Sequence, residues 1–206
     1  MRRNSLNRPS AKMAALKAAR IGTWVLLFAL AGAAACQNSA KYPNNPVLES
    51  PDRKYTIINS DDMSGEEPQH YLYLVSRSPY KKTLLYRYGR SVQVFWCPSS
   101  TCVVINDFEG SNVSSVYRIN LNSQRSSLDL GDLLLRWMKN HAQEKVSSSC
   151  SHLYAYATEI TSDGDIKLVL TGYNGIDPHG FTRIFAYKND GELRLVKAAN
   201  KYAGLE

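Results

Sequence analysis

No stretch of this 206-residue chain is apolar for long enough to cross a membrane as a helix. The longest apolar run, Ile21 to Ala35 (IGTWVLLFALAGAAA), would reach only ~22 Å, against a hydrocarbon core of ~30 Å. Signature motifs are missing as well. There is no GxSxG, P-loop, GxGxxG or HExxH, so the common nucleophile, phosphate, dinucleotide and zinc-hydrolase patterns find no match. Histidine is sparse, with His70, His141, His152 and His179 scattered along the chain. Acidic residues are absent from residues 1–35, which hold Arg2, Arg3, Arg8, Lys12, Lys17 and Arg20. The formal charge of +7 is concentrated there, and the remainder is close to neutral. The electrostatic footprint of a nucleic-acid binder is therefore lacking, and no nucleic-acid partner is expected.

What is present begins with a leader. A basic segment followed by the apolar run, ending in small residues, reads as an export signal over residues 1–35. An uncleaved anchor is the alternative. Cys36 follows directly, in Ala33-Ala34-Ala35-Cys36-Gln37. This junction resembles the lipobox of bacterial lipoproteins, in which the cysteine is lipidated and becomes the mature N-terminus. The resemblance implies a palmitate-bearing anchor at Cys36. With Gln37 in place of Asp, it also implies sorting to the periplasmic face of the outer membrane. Residues 36–49, with Pro43 and Pro46, read as the lipidated cysteine and a polar tether. A single β-rich domain is expected over residues 50–200.

Export places the remaining cysteines in an oxidising compartment. Cys97 and Cys102 flank a tight turn and form the expected disulfide. Pairings with Cys150 are the alternatives. No second CxxC and no paired histidines accompany CPSSTC, so a zinc site is not expected. No metal and no cofactor is expected.

Strand signals dominate the rest. Runs at 54–60, 70–76, 83–88, 91–97, 101–106 and 115–121 are β-branched or aromatic, and Gly89-Arg90 reads as a hairpin turn. Further strands at 152–160, 165–173, 181–188 and 192–198 are joined by the Asp163-Gly164 and Asp190-Gly191 turns. One amphipathic helix is expected near 129–144. Its stripe is Leu130, Leu133, Leu134, Trp137, Met138, His141 and Ala142, capped by Asp129 or Ser127. The spacing predicts core packing for that stripe.

Residues 50–60 (SPDRKYTIINS) align without a gap on residues 97–107 (CPSSTCVVIND), 47 positions later. Pro51, Ile58 and Asn59 recur as Pro98, Ile105 and Asn106. A period near 47 suits a four-stranded blade. The segment resembles the TolB-type β-propeller repeat, in which an SPDG-K turn leads into a strand. The resemblance implies antiparallel, propeller-blade-like meanders. About 160 residues are too few for a closed wheel of four or more such blades. The fold class is therefore mainly β, an incomplete propeller or a β-sandwich, with one helix.

Two loops carry candidate binding residues. Asp107, Glu109 and Asn112 offer oxygen ligands that could hold Ca²⁺, and Asp177 and His179 could form an acid–base couple. Turn geometry explains both loops better than either chemistry does. Thirteen tyrosines are present, and several lie on expected strands, at Tyr71, Tyr73, Tyr86, Tyr88, Tyr117, Tyr154, Tyr156 and Tyr187. Exposed, they would make contact surface for a protein or glycan. The expectation is a non-catalytic, lipid-anchored envelope protein that binds a protein partner, of immunity or accessory type. A periplasmic hydrolase and a Ca²⁺-stabilised module are the alternatives.

Overall fold

Strand β7 (Cys102–Asp107) is buried along its whole length, and the other elements are layered about it. The computed structural model describes residues 39–44, 47–65, 68–122, 126–141, 143, 148, 150–176 and 178–201. Cys36 lies outside them. The fold is mainly β with antiparallel sheets and one helix.

Three four-stranded meanders follow one another. The first is a sheet of its own: β2 (Val47–Glu49), β3 (Tyr55–Asp62), β4 (Gln69–Arg77) and β5 (Tyr80–Tyr88), paired in that order. The second is β6 (Val92–Trp96), β7, β8 (Val113–Asn120) and β9 (Ser127–Asp129), with β1 (Ser39–Tyr42) added beside β6. The third is β10 (His152–Ile160), β11 (Ile166–Tyr173), β12 (Phe181–Tyr187) and β13 (Leu193–Ala199). A short parallel contact, Leu153 with Val113 and Tyr154 with Ser114, joins β10 to β8. The second and third meanders thereby form one nine-stranded sheet.

Alternation along β6–β8 sends side chains into two cores, because successive residues face opposite sides of a strand. Val94, Trp96, Val103 and Ile105 meet Ile57, Leu72 and Leu74 of the first meander. Phe95, Val104 and Val116 point the other way, to Ala155, Leu168, Phe181 and Phe185 of the third. Helix α1 (Leu130–Asn140) closes this second core with Leu130, Leu134 and Met138, each fully buried. Asp129 caps it as expected, accepting from the Asp132 N–H at 2.8 Å. His141 ends the helix and stacks on Trp137 at 3.8 Å.

The two aligned turns have one geometry. The Ser50 N–H donates to Tyr55 O and the Arg53 N–H to Ser50 O. The Cys97 N–H donates to Cys102 O and the Ser100 N–H to Cys97 O, each bond displaced by the same 47 positions. Arg53 and Ser100 both sit at φ 58°, the left-handed region. The Asp52 N–H donates to Ser100 Oγ at 3.1 Å, so the turns lie side by side. Cys97 and Cys102 are disulfide-bonded across the second turn, and Cys150 is left out of the bond.

Two expectations are corrected. Residues 39–42 and 47–49, read as part of a tether, are strands, because Ala40, Tyr42 and Leu48 are buried in the first core. Gly89-Arg90 is not a hairpin turn within one sheet, since β5 and β6 belong to different sheets. Tyr88 and Val92 both enter the core between the sheets, so the chain there crosses from one layer to the next.

Candidate functional site

Strand β7 ends on Asp107, a carboxyl buried at the edge of a loop. Pairing with Val92 on β6 and Ser115 on β8 holds its backbone in the sheet. Its side chain is only 4% exposed. Oδ2 accepts the Tyr86 hydroxyl at 2.8 Å, while Oδ1 is buried with no hydrogen-bond partner. Burial pushes the Asp107 carboxyl up to about 6, the Tyr86 hydrogen bond opposes this, and the nearby Glu109 charge adds to it. Tyr86 in turn is pushed up by burial and by the Asp107 charge, and its ring lies 5.7 Å from that of Tyr117. The arrangement can hold a proton near neutral pH.

The expected oxygen cluster does not converge. Asp107 turns inward while Glu109 and Asn112 are exposed. The Asn112 carbonyl accepts the Leu153 N–H at 2.9 Å, and its side-chain oxygen accepts the Ser111 hydroxyl at 3.1 Å. Among the described residues, no group of three or more His, Cys, Asp or Glu side chains is placed to hold a metal ion. Asp177 lies outside the described residues. His179 is exposed on the loop after β11. The loops at 107–112 and 174–180 share one end of the strands, with β10 and β11 between them. There His152 stacks on Tyr173 at 4.4 Å, and the Tyr154 hydroxyl donates to Ser111 O at 2.6 Å.

Sequence reasoning missed a second polar group at that same end. His70 Nδ1 lies 2.6 Å from Asp61 Oδ1, and the His70 ring stacks on Tyr88 at 4.9 Å. The Tyr88 hydroxyl donates to Asn59 Oδ1 at 2.8 Å. Chiefly through the His70 hydrogen bond, the Asp61 carboxyl is held below its ordinary range. The link joins β3 to β4 and belongs to the fold of the first meander.

The tyrosines divide. Tyr88, Tyr154 and Tyr187 are buried. Tyr71 and Tyr73 lie half-buried on the side of β4 opposite the core residues Leu72 and Leu74. On that outer side, Val47, Ile58, Tyr73 and Leu84 are direct neighbours across all four strands. None of the four belongs to either core. Val47 is 55% exposed and Leu84 45%. Lys82 Nζ lies 4.1 Å from the Tyr73 ring centre, and the Arg87 guanidinium 5.2 Å from that of Tyr71. The outer face of the first meander thus carries an apolar row with a cationic border. Alternation in HYLYLVS marks its tyrosines, but the row itself depends on strand register.

No protein-family model matches the chain, and no curated protein or solved structure shows significant similarity to it.

Proposed function

We propose that this chain is a non-catalytic, lipid-anchored cell-envelope protein that binds a protein partner in the periplasm, as an immunity-type or envelope accessory factor. The observation that carries the binding reading is the outer row Val47–Ile58–Tyr73–Leu84, outside both cores, with Val47 and Leu84 exposed and Ile58 and Tyr73 half-buried. The lipobox-like junction at Cys36 supports the anchor. The equal turns at Arg53 and Ser100 support a propeller-blade-like relationship between the first two meanders. Affinity capture with residues 37–206 from the cell's own envelope extract tests the class. One stoichiometric protein is expected, and recovery of none overturns the reading. Palmitate labelling that survives Cys36→Ser overturns the anchor.

A periplasmic hydrolase has one observation in its favour, the buried Asp107 carboxyl with an unpartnered oxygen. That reading requires a hydrolytic activity that Asp107→Asn abolishes without unfolding the protein.

A further inference from the structure

We infer that the outer face of β2–β5 is the docking surface and that it receives an apolar sheet face of a protein partner bordered by carboxylates. The inference rests on the partner-binding reading above and names where and with what chemistry it occurs.

The internal repeat provides the first argument. A shift of 47 positions maps Val47 and Ile58 onto Val94 and Ile105, and both of those are 0% exposed. They lie in the core where the second meander packs on the first. The first meander thus presents, to water, positions that its repeat uses to seat a neighbouring sheet. Sheets pack face to face through such in-register apolar rows, at a spacing of about 10 Å.

Charge selects the occupant. The rungs flanking the apolar row end on β5 in Lys82 and Arg87. Among the described residues neither is in an ion pair, whereas the one acidic residue of these rungs, Glu49, is bonded to Arg77. A second copy docked through the same face would bring two such cationic borders together. Residues 1–35 carry six cations and no acid, so they are equally mismatched. A carboxylate-rich protein edge complements Lys82 and Arg87. Val47, Ile58 and Leu84 favour protein over glycan, because aliphatic side chains would desolvate sugar hydroxyls without replacing their hydrogen bonds. Three rungs over four strands cover about 400 Å², roughly half of one side of a standard interface, so the cationic rim must contribute.

The test places a photo-reactive side chain at position 84 of the full chain and, separately, at position 196, where Val196 is 58% exposed on the third meander. Irradiation in envelope extract should attach the captured protein at position 84 and not at 196. Lys82→Glu combined with Arg87→Glu should reduce the adduct by about tenfold, and raising salt from about 50 to about 500 mM should weaken it. Both residues are exposed, and circular dichroism checks that the double variant is folded. A glutamate–tyrosine copolymer should compete, and heparin should not. Attachment at 196 alone, at neither position, or without response to charge reversal overturns the inference while the partner-binding reading stands. Stronger competition by heparin overturns it in favour of a polyanionic glycan. Failure to capture any protein overturns the partner-binding reading itself, and this inference with it.

Discussion

Asp107→Asn should gain stability relative to the wild type as the pH rises towards neutrality and lose that gain as the pH falls. The folded carboxyl titrates at about 6, raised from an ordinary 3.8 by burial and by Glu109. Below about pH 4 both folded and unfolded chains hold the proton, and the carboxyl costs nothing. Between about 4 and 6 the unfolded chain releases a proton that the folded chain keeps, so stability falls as pH rises. Above about pH 6 the full cost is present, about 3 kcal/mol at 1.36 kcal/mol per pH unit of displacement. Asparagine keeps an oxygen for the Tyr86 hydroxyl and carries no charge. Urea denaturation of both proteins at intervals from pH 4 to pH 8 isolates the effect, because titrating groups not coupled to Asp107 cancel in the difference. The stability gap should open in favour of the variant by about 3 kcal/mol over that range. A gap independent of pH, or one that opens towards the wild type, would refute the assignment of a high-titrating buried carboxyl. Tyr86→Phe removes the bond that favours the ionised form, and should move the midpoint to higher pH.

Three further outcomes are expected. Asn106→Leu should cost about 2 to 5 kcal/mol in thermal or urea unfolding; the Asn106 amide makes both bonds to the Ala157 backbone, at 2.7 and 2.8 Å, and leucine would leave that N–H and C=O buried and unpaired. Replacing Cys97 and Cys102 by serine should lower stability by about 2 kcal/mol, from the entropy released by opening a short loop, measurable as the difference between the variant and the oxidised wild type. Arg53→Gly should leave the melting temperature unchanged or raise it, while Arg53→Val should lower stability by about 1 to 2 kcal/mol, because a β-branched residue fits poorly at φ 58°.

The third meander was legible almost residue by residue. His152–Ile160 was bounded by its aromatic and apolar run, and glycines with positive φ end its two turns at Gly164 and Gly191. The helix was legible from its stripe, since Leu130, Leu134 and Met138 are, with Gly131, the residues it buries. Short strands escaped. Ser39–Tyr42 and Val47–Glu49 hold only one or two buried side chains each, and such brief patterns look polar in composition. Asp107 looked like loop chemistry because carboxylates are rarely fully buried. Its place as the last residue of an all-buried strand depends on coverage from both sides. The docking face was hidden for a related reason. Val47, Ile58, Tyr73 and Leu84 are dispersed over 38 positions and meet only through register. The 47-residue repeat was the one signal that could have exposed it, by asking what covers Ile105 and then what covers Ile58.

The double coverage of β7 has a consequence for cooperativity. Its two faces belong to different cores, so neither the first nor the third meander can peel away and leave β7 bare by itself. Val103, Val104 and Ile105 are fully buried in a strand paired on both edges, to β6 and β8, and covered on both faces. In deuterium exchange they should be the slowest of the chain, governed by global unfolding, while the exposed edge strand β13 exchanges through local fraying. Strand β7 is the place where two cores are compelled to melt as one.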